Sequence, residues 1–166
     1  MNDTSEAGPV DYLELTRTTY ERLGYDAYRW THNADPVPLA SVPRPLSECR
    51  VALIASGGIY RVGQVAFTHK DDTSVRRIPT GVAIGELRAS HFAYDLTDAR
   101  RDPNVVFPLE PLRRLVDDGV IGSLTSHALT FMGGIYSQRR VVAELIPQIE
   151  RALDSMGADI ALLVPV

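Results

Sequence analysis

The sequence predicts an α/β fold, a Rossmann-like layered domain with a mainly parallel sheet. Three observations carry that prediction. The runs RVALIAS (50–56) and ADIALLVPV (158–166) are continuous, apolar and β-rich, the pattern of strands buried on both faces. The stretch 139–157 repeats apolar residues at helical spacing, with Val141, Leu145, Ile149, Leu153 and Met156 on one face and Gly157 as a stop. Strand, helix, strand, helix and strand then alternate in order, as a parallel layered sheet requires.

Each element follows from local sequence. Residues 1–9 read as a frayed leader. A helix follows, with Leu13, Thr16, Tyr20 and Leu23 at helical spacing and Gly24 as its C-terminal stop. The stretch 26–48 carries four prolines and reads as an extended arm. We therefore divide the chain into a helix and proline-rich arm (1–47) and an α/β domain (48–166). After the strand at 50–56, the polar stretch 60–80 reads as a long loop or short hairpin, a kind of segment that often serves function. A strand is expected near 82–90, then a turn, and NVVFPL (104–109) is a short apolar stretch. EPLRRLVDDG reads as a helix, with Pro111 early and Gly119 at its end. VIGSLTSHALTFMGG reads as a strand followed by a loop. Pro147 should bend the long helix or restart it locally.

Bulk composition narrows the classes of function. At 166 residues the chain is large enough to bury a real core as one domain. The net charge is −4 and the basic residues are scattered, so nothing suggests a nucleic-acid tract or a membrane-surface patch. No apolar run approaches the roughly 20 residues of a membrane span. The polar, acidic N-terminus is not a signal peptide, so we expect a cytoplasmic protein. Cys49 is the single cysteine, so no intramolecular disulfide is possible, and its place before an apolar strand suits a packed thiol.

Several residues are candidates for chemistry. SGGIY follows the first strand and MGGIY precedes the long helix. Gly57, Gly58, Met132 and Gly133 thus lie at strand ends, where backbone N–H groups can face an anion or simply permit tight turns. Neither stretch matches a dinucleotide fingerprint or a phosphate-binding loop, so we expect no nucleotide and assign no cofactor. Of the four histidines, His32 falls in the arm and His69 in a charged loop, both read as surface positions. His91 and His127 stand near strand ends and are the candidate acid–base pair. LRASHFAYD groups Arg88, His91, Tyr94 and Asp95; on a turn, Asp95 would meet His91 and raise its basicity. The same two histidines with Asp95 form a weaker candidate metal set, lacking close ligand spacing, and we assign no metal. Ser74 and Arg76, in KDDTSVRR, are candidates to hold a carboxylate, or else members of a solvated loop.

Taken in order, RVALIASGGIY, DDTSVRRIP, ELRASHFAYD, DPNVVFPLEPLRRLVDDGVIG, SHALTFMGG and GADIALLVPV resemble the selenoprotein B family of the glycine, sarcosine, betaine and D-proline reductases, nearest its D-proline branch. The resemblance covers roughly 48–166. It implies a redox subunit in which a selenolate or thiolate attacks an amino-acid-like substrate held by a second subunit, and a second thiol resolves the adduct. It further implies a dithiol or thioredoxin-like reductant, and a partner subunit or a homo-oligomer. In the D-proline branch a selenocysteine follows the last strand's Pro-Val directly. We therefore expect the nucleophile just after Val166, with a selenocysteine codon read as a stop preferred over a genuine stop or a cut chain. Cys49 stands before the first core strand and does not replace it. The alternatives are a non-catalytic binding or assembly module on the same fold and, less favoured, a histidine-based metal enzyme.

Overall fold

The computed structural model describes residues 11–26, 33–38 and 40–166. The leader at 1–9 and His32 lie outside the described residues. The chain separates into one unit ending at Leu39 and a second spanning Ala40–Val166.

Within the first unit, α1 spans Tyr12–Arg22. The Asp11 carboxylate accepts the Glu14 N–H at 3.1 Å, capping the first turn. Arg17 bridges Glu14 and Glu21 along one face. Gly24, at φ 83°, follows the last turn as the sequence predicts.

The second unit is built around β1 (Arg50–Ala55), whose residues from Val51 on are buried. Strands β5 (Ser123–Leu124) and β6 (His127–Thr130) both run parallel to β1 on one side. On its other side β7 (Ile160–Val164) pairs in parallel along five positions, from Val51↔Ile160 to Ala55↔Val164. β3 (Arg76–Pro79) closes the far edge, antiparallel to β6. The prediction of an α/β fold with a mainly parallel sheet is therefore correct. A separate two-stranded ribbon joins β2 (Ile59–Arg61) to β4 (Leu87–Ala89), antiparallel.

Alternation along β1 sets the two cores. Val51, Leu53 and Ala55 face Ile78, Ala128 and the α3 (Leu109–Asp117) side, where Phe107, Leu109 and Leu112 close the layer. Ile54 points the other way, onto Leu129, Ala152 and Met156 of α5 (Ile146–Met156). A central strand covered by helices on both faces explains the unbroken apolar run RVALIA.

The long helix breaks where the sequence places Pro147: α4 (Gln138–Arg140) gives way to a π-helical turn at Val141–Leu145, and α5 restarts there with Pro147 in its first turn, while two other local expectations need correction. Proline has no N–H to return to the preceding turn, so the widened turn sits directly before it. The strand expected near 82–90 shrinks to β4, because Val82 N–H closes a turn on Pro79 and Ile84–Glu86 forms a 3-10 turn. β7 is not buried: Leu162 is 39% and Leu163 66% exposed. Its inner edge pairs with β1, and no strand pairs with its outer edge among the described residues. An apolar run alone does not separate a central strand from an edge strand.

Candidate functional site

The parallel strands β1, β6 and β7 deliver their carboxyl ends to one place, where α/β sheets carry their ligands. Ser56, just past β1, is the knot. Its N–H donates to Val164 O at 3.1 Å, its carbonyl accepts Gly133 N–H at 2.9 Å, and its Oγ accepts Val166 N–H at 2.9 Å. Gly57 forms an antiparallel bridge to Met132. Gly58 N–H donates to Phe131 O at 3.0 Å, while Gly58 O accepts Ser90 N–H at 2.9 Å. The two glycine turns thus bind each other. The N–H groups of Gly58 and Gly133 are spent on carbonyls, as tight turns require, and are not offered to an anion.

The turn after β4 adds side chains to this edge. Tyr94 Oη donates to Gly57 O at 2.8 Å, fixing its ring against the strand end. The His91 ring lies 4.8 Å from the Tyr94 ring, centroid to centroid, and only 4% of the residue is exposed. His91 Nδ1 accepts the Ala93 N–H at 3.0 Å. The neutral ring must then carry its proton on Nε2, and that buried nitrogen has no hydrogen-bond partner. An unpaired buried donor costs about 1–3 kcal/mol, so a fold that keeps one beside the joined strand ends invites a functional reason.

The sequence-predicted residues divide cleanly. Gly57, Gly58, Met132, Gly133, Tyr94 and His91 converge on the carboxyl edge. His127 does not: it begins β6, at the opposite end of the strand from Met132, with its Nδ1 3.1 Å from Ser126 Oγ. His91 and His127 therefore form no acid–base pair. Asp95 does not orient His91 either. Its Oδ1 accepts the Thr97 N–H and hydroxyl at 2.9 and 2.7 Å, which hold its carboxyl below the usual range, while Ala93 takes His91 Nδ1. The metal set of His91, His127 and Asp95 is accordingly not assembled. Arg88 donates to Gly85 O and Leu87 O. Ser74 is bonded to Asp72 and Arg76, and the Arg76 guanidinium lies 4.3 Å over the Phe67 ring while donating to Val65 O. Ser74 and Arg76 brace a loop rather than wait for a carboxylate. Cys49 is fully buried, its thiol 3.4 Å from Arg44 O, a packed cysteine as expected.

Ser56, Phe92, Val106, Tyr136 and Asp71 also shape the edge and escaped the sequence reading. The one local signal was Ser56, the last residue of an apolar strand run directly before Gly-Gly. Asp71 Oδ1 accepts the Tyr136 and Ser137 N–H groups at 2.7 and 3.1 Å, pinning the 62–75 loop to the segment after β6. No sequence pattern links those positions.

Burial, and secondarily the charge of His69, holds the His91 imidazole below the ordinary histidine range. The unfolded chain therefore binds this proton first, from about pH 6.5 downward. Below that pH the unfolded state carries more protons than the folded state, so stability falls as the solution is acidified, until the folded ring also titrates. Urea unfolding at about pH 7.5 and about pH 5.5 should show this loss, and His91→Asn should flatten it. Glu144, held at about 2 by Arg140 and Thr73, stays ionised throughout the window and does not contribute.

Comparison with known proteins gives one family. The model for glycine/sarcosine/betaine reductase selenoprotein B matches residues 25–164. The D-proline reductase subunit gamma of Acetoanaerobium sticklandii is 34% identical over 122 residues, 74% of this chain and 50% of that protein. The sarcosine reductase complex component B subunit beta of Peptoclostridium acidaminophilum is 28% identical over 105 residues, 60% of this chain and 24% of that protein. The glycine reductase complex component B subunit gamma of Symbiobacterium thermophilum is 30% identical over 107 residues, with the same two shares, 60% and 24%. The chain thus spans from half to about a quarter of the length of these relatives. No solved structure matches it. No helix among the described residues is long and apolar enough to cross a membrane.

Proposed function

Because the chain belongs to the glycine/sarcosine/betaine reductase selenoprotein B family, we propose that it acts as a redox subunit of an amino-acid reductase complex, with its substrate cleft at the carboxyl edge of β1, β6 and β7. The names of the relatives point to D-proline, sarcosine, betaine and glycine as the substrates to test first. The observation that carries the reading is the buried, unpartnered Nε2 of His91 beside the turns that join the three strand ends.

The chemistry is a reductive C–N cleavage. A selenolate or thiolate attacks the substrate's α-carbon; the new chalcogen–carbon bond forms as the C–N bond breaks, and the amine leaves with a proton. A thiolate then attacks the chalcogen. The carbon departs with the bonding pair and takes up a proton, and a dithiol reduces the resulting chalcogen–sulfur bond. Overall two thiols become one disulfide while one C–H and one N–H bond form. Cys49 is buried before β1 and does not serve as the nucleophile. The attacking chalcogen in this reading comes from polypeptide outside these residues, delivered to the cleft beside Val166. Within the site the neutral His91 ring orients the substrate by a hydrogen bond from Nε2–H, while Tyr94 holds the Gly57 turn in place.

The test is an assay of the complex purified from its own cells by a tag on this chain. With a dithiol and each of the four substrates, the expected result is one disulfide per C–N bond cleaved, unchanged in Cys49→Ala. Loss of turnover in a folded Cys49→Ala protein, or C–N cleavage without thiol oxidation, would overturn the reading.

A further inference from the structure

We propose that the gap between β3 and α5 is a binding site for a small dicarboxylate. It shares no residue with the carboxyl edge, so the reading above stands or falls without it.

The site is a cavity of about 380 Å³ lined by Val75, Arg77, Gln148, Arg151, Ala152 and Ser155. It follows from how the edge strand meets the helix. In β3, Arg77 pairs with Leu129 of β6, and Leu129 belongs to the core beneath α5, so Arg77 shares that face. Val75, two residues earlier, packs on the same core. On α5, Gln148, Arg151, Ala152 and Ser155 recur at helical spacing and meet β3 as one stripe. Ala152 and Ser155 carry short side chains and leave the gap unfilled. The cavity thus lies on the α5 face of the sheet, whereas Tyr94 packs against the core on the other face.

Its charge is all of one sign, since no carboxylate lines it. Among the described residues neither Arg77 nor Arg151 forms an ion pair, and Asp154, three residues beyond Arg151, does not supply one. Arg76, the adjacent residue, makes the contrast: its guanidinium donates to Ser74 Oγ at 2.6 Å and Val65 O at 2.8 Å. The neutral donors of the cavity are committed as well. Gln148 Nε2 donates to Thr73 O at 2.9 Å and Glu144 O at 2.7 Å, and Ser155 Oγ donates to Ala152 O at 2.9 Å. What remains for a ligand is two guanidinium forks, one from a strand and one from a helix. One fork satisfies one carboxylate through two parallel N–H···O bonds. Two forks on separate elements therefore suit two carboxylates carried apart, and Val75 and Ala152 give the hydrocarbon link an apolar wall. The volume falls in the lower part of the range of small-molecule sites.

The test is a calorimetric and amide NMR titration of this chain, at fixed ionic strength, with succinate, succinamate and inorganic phosphate. Succinamate keeps one carboxylate and replaces the other by a neutral amide. Succinate should bind about tenfold more tightly than succinamate. It should shift the amides of Val75, Arg77, Gln148 and Ser155 and leave those of Gly57, His91 and Gly133 in place. Arg77→Gln and Arg151→Gln should each bring succinate down to the succinamate level. Equal affinity for the two ligands, or a preference that survives in either folded variant, overturns the site. Phosphate binding more tightly than succinate at the same amides overturns the dicarboxylate as its ligand. No shift at these amides overturns the proposal outright.

Discussion

Replacing Gly58 by alanine is expected to cost the fold upwards of about 3 kcal/mol. Gly58 has φ 68°, where an L side chain alone costs about 1–2 kcal/mol. The larger part comes from space. The new Cβ would stand 2.1 Å from the Ser90 carbonyl oxygen, a contact no carbon tolerates. Ser90 cannot withdraw freely, because its own N–H donates to Gly58 O at 2.9 Å. Nor can Gly58, whose N–H is held by Phe131 O at 3.0 Å. Any relief therefore breaks the pairing that joins β1 to the turns after β4 and β6. Gly63→Ala is the control. At φ 92° it carries the same kind of backbone strain, but nothing lies within 4 Å of its Cβ, so about 1–2 kcal/mol is expected. Urea unfolding of both variants separates the two terms. Equal losses would mean that the packing of the two turns is not what holds this edge together.

That pairing marks the boundary of what the sequence could reveal. β1 was legible because a strand covered on both faces must be apolar at every position, and RVALIA is. The end of α5 was legible because Gly157 takes the left-handed conformation, at φ 61°, that glycine permits. Pro147 announced a break because its missing N–H is a local fact. The candidate site was half legible. Gly57, Gly58, Met132, Gly133, His91 and Tyr94 were named from their places at strand ends, and the fold brings those six together. What failed were the inferences about which residues face each other. His127 sits only one strand length from Met132, yet the direction of β6 sends them to opposite ends. Asp95 is four positions from His91, yet Thr97 is nearer and supplies both a hydroxyl and an N–H. Ser56 bonds to Gly133 through its carbonyl and to Val166 through its Oγ, partners far along the chain that no local spacing picks out. Pairings of that kind depend on topology and leave no residue pattern. The exposure of β7 belongs with them, since an edge strand and a central one can share the same composition.

The second large effect is on activity with little change in stability. His91→Asn should lower turnover of the reductase complex about 100-fold or more while leaving unfolding free energy within about 1 kcal/mol. The choice of asparagine matters. His91 Nδ1 accepts the N–H of Ala93, two residues on, at 3.0 Å. An asparagine Oδ1 accepts from the same relative position in an Asx turn, so the local backbone keeps its bond. What disappears is the outer half of the imidazole. Losing its contacts with Tyr94 and Phe92 is destabilising, as any buried truncation is. Removing Nε2–H acts in the opposite direction, because that donor is buried and unpaired in the present fold. A group retained at a cost to stability, beside three strand ends, is worth keeping when a substrate completes its bond. Turnover and urea unfolding measured on the same preparation decide the matter. Turnover near wild type would make His91 a turn residue and remove it from the reaction. A loss of activity matched by unfolding would show that the ring, and not its proton, is what the site requires.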